Sequence, residues 1–474
     1  MNRNLLIITV GRVAQMLIMF ATYRVLSTVL SVSDMGGYYF LLSISAGFGL
    51  LFANPIGMYL NRMIHAWKEE GTAIRNIVVV IMAFLIGSLL TIPFLFLFQE
   101  RLAVDSHQLN FIIFILILYV FSNSINGTLV PSLNILGYSG HFVIWTLLSS
   151  IVGLILSYGL VASIKPDPYL WLLGQGIALT FFGLISFVIL NRKLDKKVVK
   201  ISHNKLIKLR KIGSFALPIV FTNIAVWSLG QSFRFFFKEK IDPISLGELT
   251  FGLGMATSLS VAVEYLFQQL YLPEFYSKLD QKGIDRGTIW NRFFNKLVPS
   301  YIAVAFYLFG LAPFILRVLA DPKFKGAYTF LAIGAFVEFF RMLANIFNMA
   351  TQSELKTHKA LGPYLLGGGL TLVGVLWISH HQELLKFTPF ILILGYVASL
   401  LYLILNVKKM FPIVVDYLLI LKVSMMSCLF LLARYLIDFS EGLIFSVIIN
   451  ISFGLVLVLI LYKLYQKGIR EESK

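Results

Sequence analysis

The segment "GRVAQMLIMFATYR", Gly11–Arg24, is apolar enough to enter a bilayer, yet an arginine stands at or near each of its ends. It lies within the apolar stretch 5–30, which is longer than the apolar core of a signal peptide and has no A-x-A-like cleavage site. We therefore interpret this stretch as a retained first membrane span. The two arginines require an explanation, because lipid disfavours charged groups.

The whole chain shares the apolar character of this segment. Of its 474 residues, 58% are hydrophobic and 13% are charged, and the mean hydropathy is +0.83. Soluble domains average about 25% charged residues, so the composition predicts a polytopic membrane protein. The single cysteine, Cys428, excludes an intramolecular disulfide framework and a multi-cysteine metal site. No metal site and no cofactor are predicted.

Further segments reach the length of about 20 apolar residues that a membrane span needs. We predict an all-α integral membrane protein with about 14 transmembrane helices. The predicted spans are 5–30, 36–61, 76–98, 110–136, 142–164, 169–190, 212–237, 246–274, 294–316, 326–352, 361–379, 387–407, 416–436 and 442–465.

The lysines and arginines orient these spans, because short cytoplasmic loops carry an excess of them. With a cytoplasmic N-terminus, 26 of the 40 basic residues fall on the cytoplasmic side, eight on the opposite side and six inside spans. The formal charge of +17 is therefore mostly topological, and no nucleic-acid partner is needed to explain it. Both termini are predicted to be cytoplasmic.

An internal repeat divides the chain. "YRVLSTVLSVSDMGGYYFLL", 23–42, and "FRFFFKEKIDPISLGELTFGL", 233–253, each place an arginine near a span's outer end, then a short Asp/Ser-containing turn and a glycine. This predicts two pseudo-symmetric six-helix lobes, 1–190 and 212–407, followed by an extra helix pair and tail in 408–474. The basic segment 191–211 between the lobes is predicted to be a cytoplasmic linker with an interfacial helix.

Several spans place polar residues on one helical face, because positions three, four, seven and eleven apart align. In "VEFFRMLANIFNMATQ", 337–352, a glutamate, an arginine and three amides fall within about 80°. Such stripes favour a central cavity, although any single amide could instead join two helices. The predicted cavity-lining residues are Gln15, Asn54, Asn61, Asn123, Asn126, Asn223, Trp227, Gln231, Gln268, Asn345 and Asn348.

The ionisable residues within spans suggest what the cavity binds. Arginine offers a planar fork of donors that suits phosphate, and we predict that pyrophosphate binds at Arg12, Arg24, Arg234 and Arg341. Amides, hydroxyls and aromatic rings suit sugars. Glu264, Glu338 and Glu248 are the candidates for coupling to H⁺ or Na⁺. Glu264 comes first, because its own stripe offers no cation.

Alternatives to these assignments stay open. Glu338 and Arg341, three residues apart, could simply neutralise each other. Glu264 could be a protonated, hydrogen-bonded helix contact. The side chains of Arg12 and Arg24 could extend to the two membrane–water interfaces. We otherwise interpret them as inner and outer stations for one travelling pyrophosphate.

The segments "RVLSTVLSVSDMGGYYFLLS" (24–43), "NPIGMYLNR" (54–62) and "LNILGYSGHF" (133–142) resemble the multidrug/oligosaccharidyl-lipid/polysaccharide (MOP) exporter superfamily, and within it the Wzx-type O-antigen flippases. The resemblance covers roughly residues 1–410. It implies a monomeric antiporter of the bacterial inner membrane. Its substrate would be an undecaprenyl-pyrophosphate-linked oligosaccharide for lipopolysaccharide or a related glycan, moved outward by alternating access. A polysaccharide polymerase is a candidate partner. Fourteen spans depart from the usual twelve and resemble the lipid II flippases.

Three other functions compete with a flippase. A polysaccharide polymerase or ligase would share the substrate, but such enzymes carry a long outer loop that this sequence lacks. The chain is therefore predicted not to be an enzyme. A cation-coupled multidrug exporter would need an acidic or aromatic cavity, which an excess of arginine disfavours. A scaffold without transport would not need clustered polar stripes.

Overall fold

The protein is described by a computed structural model over residues 3–97, 106–194, 209–238, 240–279, 285–354, 358–381, 383–436 and 442–472. All regular structure in these ranges is helical, so the predicted all-α fold is confirmed. Of the predicted linker 191–211, residues 195–208 lie outside the described ranges.

Within the described ranges, eight helices form the first part of the chain. They are α1 (Arg3–Val29), α2 (Val32–Phe48), α3 (Asn54–Glu69), α4 (Ala73–Leu89), α5 (Thr91–Leu97), α6 (Ser106–Ile135), α7 (Ser139–Ser163) and α8 (Pro168–Leu194). A π-helical turn, Gly49–Ala53, joins α2 to α3. The predicted span 36–61 is therefore part of one 38-residue helical stretch, Val32–Glu69.

Nine helices form the rest of the part of the chain that the structure describes. They are α9 (Leu209–Phe237), α10 (Pro243–Leu279), α11 (Arg286–Leu319), α12 (Tyr328–Ser353), α13 (His358–Ile378), α14 (Leu384–Lys408), α15 (Tyr417–Ser427), α16 (Leu429–Leu436) and α17 (Leu443–Glu472). A 3₁₀ turn, Pro322–Ala327, leads into α12.

The helices account for the predicted spans. Within the described ranges, 13 helical stretches are long and apolar enough to cross a membrane. The remaining predicted span, 212–237, corresponds to α9, which has 29 residues. The chain is therefore a multi-pass membrane protein.

The chain divides into two compact units, Met1–Trp227 and Ser228–Lys474. The boundary between the units falls within α9. The first part of α9 belongs to the N-terminal unit, and its side chains bond to α2 and to the π-helical turn. Asn223 Nδ2 donates to the Leu50 carbonyl at 2.6 Å, and Trp227 Nε1 donates to the Ser43 carbonyl at 2.9 Å.

In the N-terminal unit, α8 packs against both α6 and α7, and α1 packs against α7. The close approach of α1 to α7 depends on Gly11, because a Cβ there would lie 2.5 Å from Cγ1 of Val143. A buried apolar cluster centred on Leu60, Ile77 and Leu129 joins α3, α4 and α6.

In the C-terminal unit, α12 is the central helix and packs against α10, α11 and α14. A Cβ on Gly334 would lie 2.8 Å from Cβ of Ala256, so this glycine allows α12 to approach α10 closely. The extra helices α15, α16 and α17 pack against α11. Tyr307 on α11 donates to the Asn450 carbonyl on α17 at 3.2 Å.

Candidate functional site

Three ionisable side chains meet inside the C-terminal unit, on α10 and α12. Arg341 Nη2 lies 2.9 Å from Oε2 of Glu264, and Arg341 Nε lies 2.5 Å from Oε2 of Glu338. Both carboxylate side chains are 6% exposed and the arginine side chain is 18% exposed. We call these three residues the ionic cluster.

Polar neighbours complete the ionic cluster. Asn345 Nδ2 and Gln268 Nε2 donate to Glu264 Oε1 at 3.0 and 3.3 Å. Thr257 Oγ1 donates to Glu338 Oε1 at 2.7 Å. Every carboxylate oxygen of the cluster thus accepts a hydrogen bond, which offsets part of the cost of burying charge.

The charges of the ionic cluster do not balance. Arginine stays protonated in proteins, so two ionised carboxylates around one guanidinium carry a formal charge of −1. A buried net charge is costly, and binding one H⁺ or Na⁺ would cancel it. The ionic cluster therefore has the chemistry of a monovalent cation site.

The helical stripes explain how the sequence builds this cluster. Glu338, Arg341 and Asn345 share one face of α12, and Glu264 and Gln268 share one face of α10. The small residues Gly334 and Ala256 bring the two faces together. The stripe of Glu264 on α10 itself offers no cation, but α12 supplies Arg341.

Two tyrosines near the cluster escaped the sequence analysis. Tyr364 on α13 and Tyr396 on α14 are each 4% exposed. The Tyr364 hydroxyl donates to Asn345 Oδ1 at 3.5 Å. The predicted spans that form these two helices, 361–379 and 387–407, show no comparable polar stripe, so neither tyrosine was assigned to the cavity. A tyrosine within an apolar span was the available signal.

Arg234 lies in the C-terminal unit but outside the ionic cluster. It is 6% exposed, donates to Gln231 Oε1, and its Cζ lies 5.1 Å from the centre of the Phe233 ring. The predicted pair Gln231 and Arg234 is thus brought together by one turn of α9. The Arg234 guanidinium thus contacts both an amide and an aromatic ring.

Arg12 has a similar environment in the N-terminal unit. Its Nη1 donates to Gln15 Oε1 at 2.7 Å, and its Cζ lies 5.5 Å from the centre of the Phe142 ring on α7. The guanidinium is therefore directed against a neighbouring helix. The Arg24 side chain is partly buried on α1.

The predicted amides of the N-terminal unit have different surroundings. Asn54 and Asn123 are exposed. Asn61 accepts a hydrogen bond from Ser132 at 3.2 Å, and Asn126 donates to the Leu179 carbonyl at 3.3 Å. Asn61 and Asn126 thus connect helices, which matches the alternative left open for single amides.

Asn348 and Glu248 lie in the C-terminal unit. Asn348 accepts a hydrogen bond from Thr351, one turn further along α12, at 3.2 Å. Glu248 accepts a hydrogen bond from the backbone N–H of Gly326 in the 3₁₀ turn. This contact lies outside the ionic cluster. Within the described ranges, no group of three metal-ligating side chains occurs.

The sequence matches no family model and no curated protein. Solved structures do match the fold. The lipid II flippase MurJ, in an inward closed conformation, aligns with a TM-score of 0.64 at 15% identity, covering 98% of this chain and 100% of MurJ. A eukaryotic MATE transporter aligns with a TM-score of 0.59 at 10% identity, covering 89% of this chain and 96% of its own. A MOP-superfamily transporter from Pyrococcus furiosus aligns with a TM-score of 0.51 at 13% identity, covering 86% and 95%.

The class that the helices define is a multi-pass membrane protein with two helical units. More particularly, the chain has the fold of the MOP transporters.

Proposed function

We propose that this protein is an ion-coupled flippase for an undecaprenyl-pyrophosphate-linked oligosaccharide. The observation that carries the proposal is the ionic cluster, a half-buried arginine held between two buried carboxylates on a MOP transporter fold. It supplies both components that such a flippase needs: a cation for pyrophosphate and acidic groups for an ion.

The ionic cluster suggests how the two ligands are coupled. While Glu264 and Glu338 are ionised, they occupy Arg341. Binding of H⁺ or Na⁺ by a carboxylate weakens its attraction for the guanidinium. Arg341 then becomes available for an anionic substrate, because phosphate oxygens bond to guanidinium in the same bidentate way as carboxylate oxygens. A substrate phosphate and an ionised glutamate thus compete for one arginine.

The same proposal assigns the remaining arginines to further positions on the transport path. Arg12 and Arg234, each supported by a glutamine and a ring, would bind the pyrophosphate before or after Arg341. Arg24 would form the outer station opposite Arg12. The predicted amides would contact the sugars of a repeat unit such as that of O-antigen.

The coverage of the solved structures favours a lipid-linked substrate. The lipid II flippase MurJ covers 98% of this chain, whereas two MATE transporters cover 85% and 89%. MurJ thus also matches residues that lie outside these two MATE alignments. Lipid II is itself a second candidate substrate, since MurJ is matched over its whole length. A drug exporter is disfavoured by the arginines.

The test is deletion of the gene in a bacterial host, followed by analysis of surface glycan and of lipid-linked intermediates. Loss of one surface glycan together with accumulation of its lipid-linked unit supports the proposal and identifies the repeat unit. Accumulated lipid II would support the second candidate. Unchanged glycans and intermediates, with increased drug sensitivity, would overturn both in favour of an exporter.

A further inference from the structure

The hydrogen bonds of the ionic cluster distinguish its two carboxylates. A hydroxyl group can donate or accept a hydrogen bond, whereas a guanidinium and an amide NH₂ group can only donate. A carboxyl group that takes up a proton becomes a donor itself and therefore needs an acceptor. The partners of Glu264 and Glu338 differ in whether they can become that acceptor.

Glu264 is surrounded by donors. Its Oε2 faces Arg341, and its Oε1 accepts hydrogen bonds from Asn345 and Gln268. The amide oxygen of Asn345 is itself occupied, since the Tyr364 hydroxyl donates to it at 3.5 Å. A proton on Glu264 would therefore point at N–H groups unless an amide turned over.

Glu338 has a hydroxyl partner, Thr257 on α10. Thr257 Oγ1 lies 2.7 Å from Glu338 Oε1 and 3.0 Å from the carbonyl oxygen of Leu253, one turn earlier on the same helix. The carbonyl four residues earlier is the usual alternative partner of a helical threonine. The single hydroxyl hydrogen of Thr257 can thus point to Glu338 or to Leu253. Rotation of this one hydrogen converts Thr257 from a donor to Glu338 into an acceptor.

The other titratable groups around Glu338 keep their charge state near neutral pH. Arg341 stays protonated. Three buried tyrosines interact electrostatically with the cluster from the other helices packed around it, and they are Tyr301 on α11, Tyr364 on α13 and Tyr396 on α14. Phenols lose their proton only in strongly alkaline solution. Among the described residues of this surrounding, only Glu264 and Glu338 can therefore change the charge.

We propose that the coupling ion is H⁺ and that Glu338, rather than Glu264, binds it. The proton, taken from water, forms an O–H bond at Glu338 Oε1 and is donated to Thr257 Oγ1, while the Thr257 hydrogen turns to the Leu253 carbonyl. The formal charge of the cluster is cancelled, and each donor has an acceptor. Na⁺ would instead need several oxygen atoms at once, and every carboxylate oxygen of the cluster already faces a donor. The inference rests on the proposed function, because it names the ion that would drive flipping.

The test is infrared difference spectroscopy of the purified full chain, which records the C=O stretch of a protonated carboxyl group. Spectra are compared between about pH 8 and about pH 5, where exposed carboxylates stay mostly ionised. Wild type should show a protonated carboxyl band at the lower pH, and Glu338→Gln should lose it. A wild-type spectrum without this band, or a Glu338→Gln spectrum that retains all of it, would overturn the proposal.

Matched variants of the hydrogen-bond partners identify the carboxyl group that holds the proton, even if Glu338→Gln does not fold. Thr257→Val has nearly the same shape but no acceptor, so the band should move to higher wavenumber, whereas Thr257→Ser should keep it in place. Gln268→Met removes a donor to Glu264 and should also leave the band in place. A shift in Gln268→Met but not in Thr257→Val would assign the proton to Glu264 and overturn the proposal.

The same spectra separate H⁺ from Na⁺. Replacing K⁺ by Na⁺ at constant pH should leave the band unchanged, and its loss in Na⁺ would overturn the proposal, because Na⁺ would then bind in place of the proton. The spectra require no transported substrate. A missing band therefore rejects the proton assignment alone, whereas unchanged surface glycan after deletion of the gene rejects the flippase.

Discussion

Arg341 and Glu264 lie on adjacent helices, α12 and α10, with Nη2 of one 2.9 Å from Oε2 of the other. The same guanidinium also contacts Glu338, so one arginine connects two buried carboxylates. The arrangement joins the predicted anion-binding group and the predicted ion-coupling groups in one ionic cluster. Any ligand of the cluster would therefore meet the combined charge of all three residues rather than that of one residue alone.

Replacing Glu264 by glutamine should uncouple substrate flipping from the ion gradient. The Glu264→Gln side chain keeps the size and one carbonyl acceptor, but it removes the charge that holds Arg341. We expect flipping in proteoliposomes to lose its dependence on a pH or Na⁺ gradient, with Tm nearly unchanged. Glu383→Gln, which removes an exposed carboxylate paired with Lys386, is the matched control. Gradient dependence equal to wild type in Glu264→Gln would contradict the coupling assignment.

Removing Arg341 should destabilise the protein. Arg341→Met leaves two buried carboxylates without their cation, and breaking a buried ion pair in this way costs about 3–5 kcal/mol. We expect a clear fall in Tm. The neutral triple variant Glu264→Gln/Glu338→Gln/Arg341→Met should recover most of it, since it removes all three charges. If the triple variant were no more stable than Arg341→Met, the loss of stability would be caused by altered packing rather than by unpaired charge.

Two glycines on α13 provide a matched test of helix packing. A Cβ on Gly367 would clash with the Gly395 carbonyl and the Ser399 hydroxyl of α14, whereas a Cβ on Gly369 meets nothing within 4 Å. Gly367→Ala should therefore destabilise the protein by about 1–3 kcal/mol. Gly369→Ala should leave stability unchanged or raise it by up to about 1 kcal/mol through helix propensity. Thermal unfolding in detergent measures the stability of both variants. Equal Tm values for the two would contradict the close approach of α13 to α14.

The bonds between α9 and α2 should contribute to stability. Trp227→Phe keeps an aromatic ring but removes the donor to the Ser43 carbonyl, at an expected cost of about 1 kcal/mol. Gly47→Ala should act at the same place, because its Cβ would lie 3.2 Å from Trp227 Nε1. If the hydrogen bond from Trp227 to the Ser43 carbonyl is formed, Gly47→Ala should lower Tm less in a Trp227→Phe background than in wild type. Additive losses of Tm would indicate that the two sites are independent.

The turn before α10 should make the stability of the protein depend on pH in the acidic range. Hydrogen bonds from the Ser245 hydroxyl and N–H hold the pKa of Asp242 below its ordinary value of 3.8. A lowered folded pKa stabilises the protein above the unfolded pKa, and this contribution is lost as the pH falls through the folded pKa. Tm of wild type should therefore exceed that of Asp242→Ala at pH 6, and the difference should narrow toward pH 3. A Tm difference between wild type and Asp242→Ala that stays constant from pH 6 to pH 3 would exclude a contribution of the lowered Asp242 pKa to stability.

The sequence predicted the helical stripes that build the ionic cluster, but not how the stripes meet. Glu338, Arg341 and Asn345 share a face because of helical periodicity, which any sequence reveals. That Arg341 reaches Glu264 depends on the packing of α12 on α10, which small residues such as Gly334 permit. The same limitation hid Tyr364 and Tyr396, since the role of a lone polar group depends on its neighbours in space.

By itself, the sequence determined the membrane class, the number and approximate bounds of the spans, and the polar face of several of them. These follow from composition, length and periodicity, which are local properties of the chain. The tertiary structure alone decided that the two carboxylates share one arginine and that α9 divides between the two units. Each of these depends on which helices pack together, and packing brings together residues that are distant in the sequence.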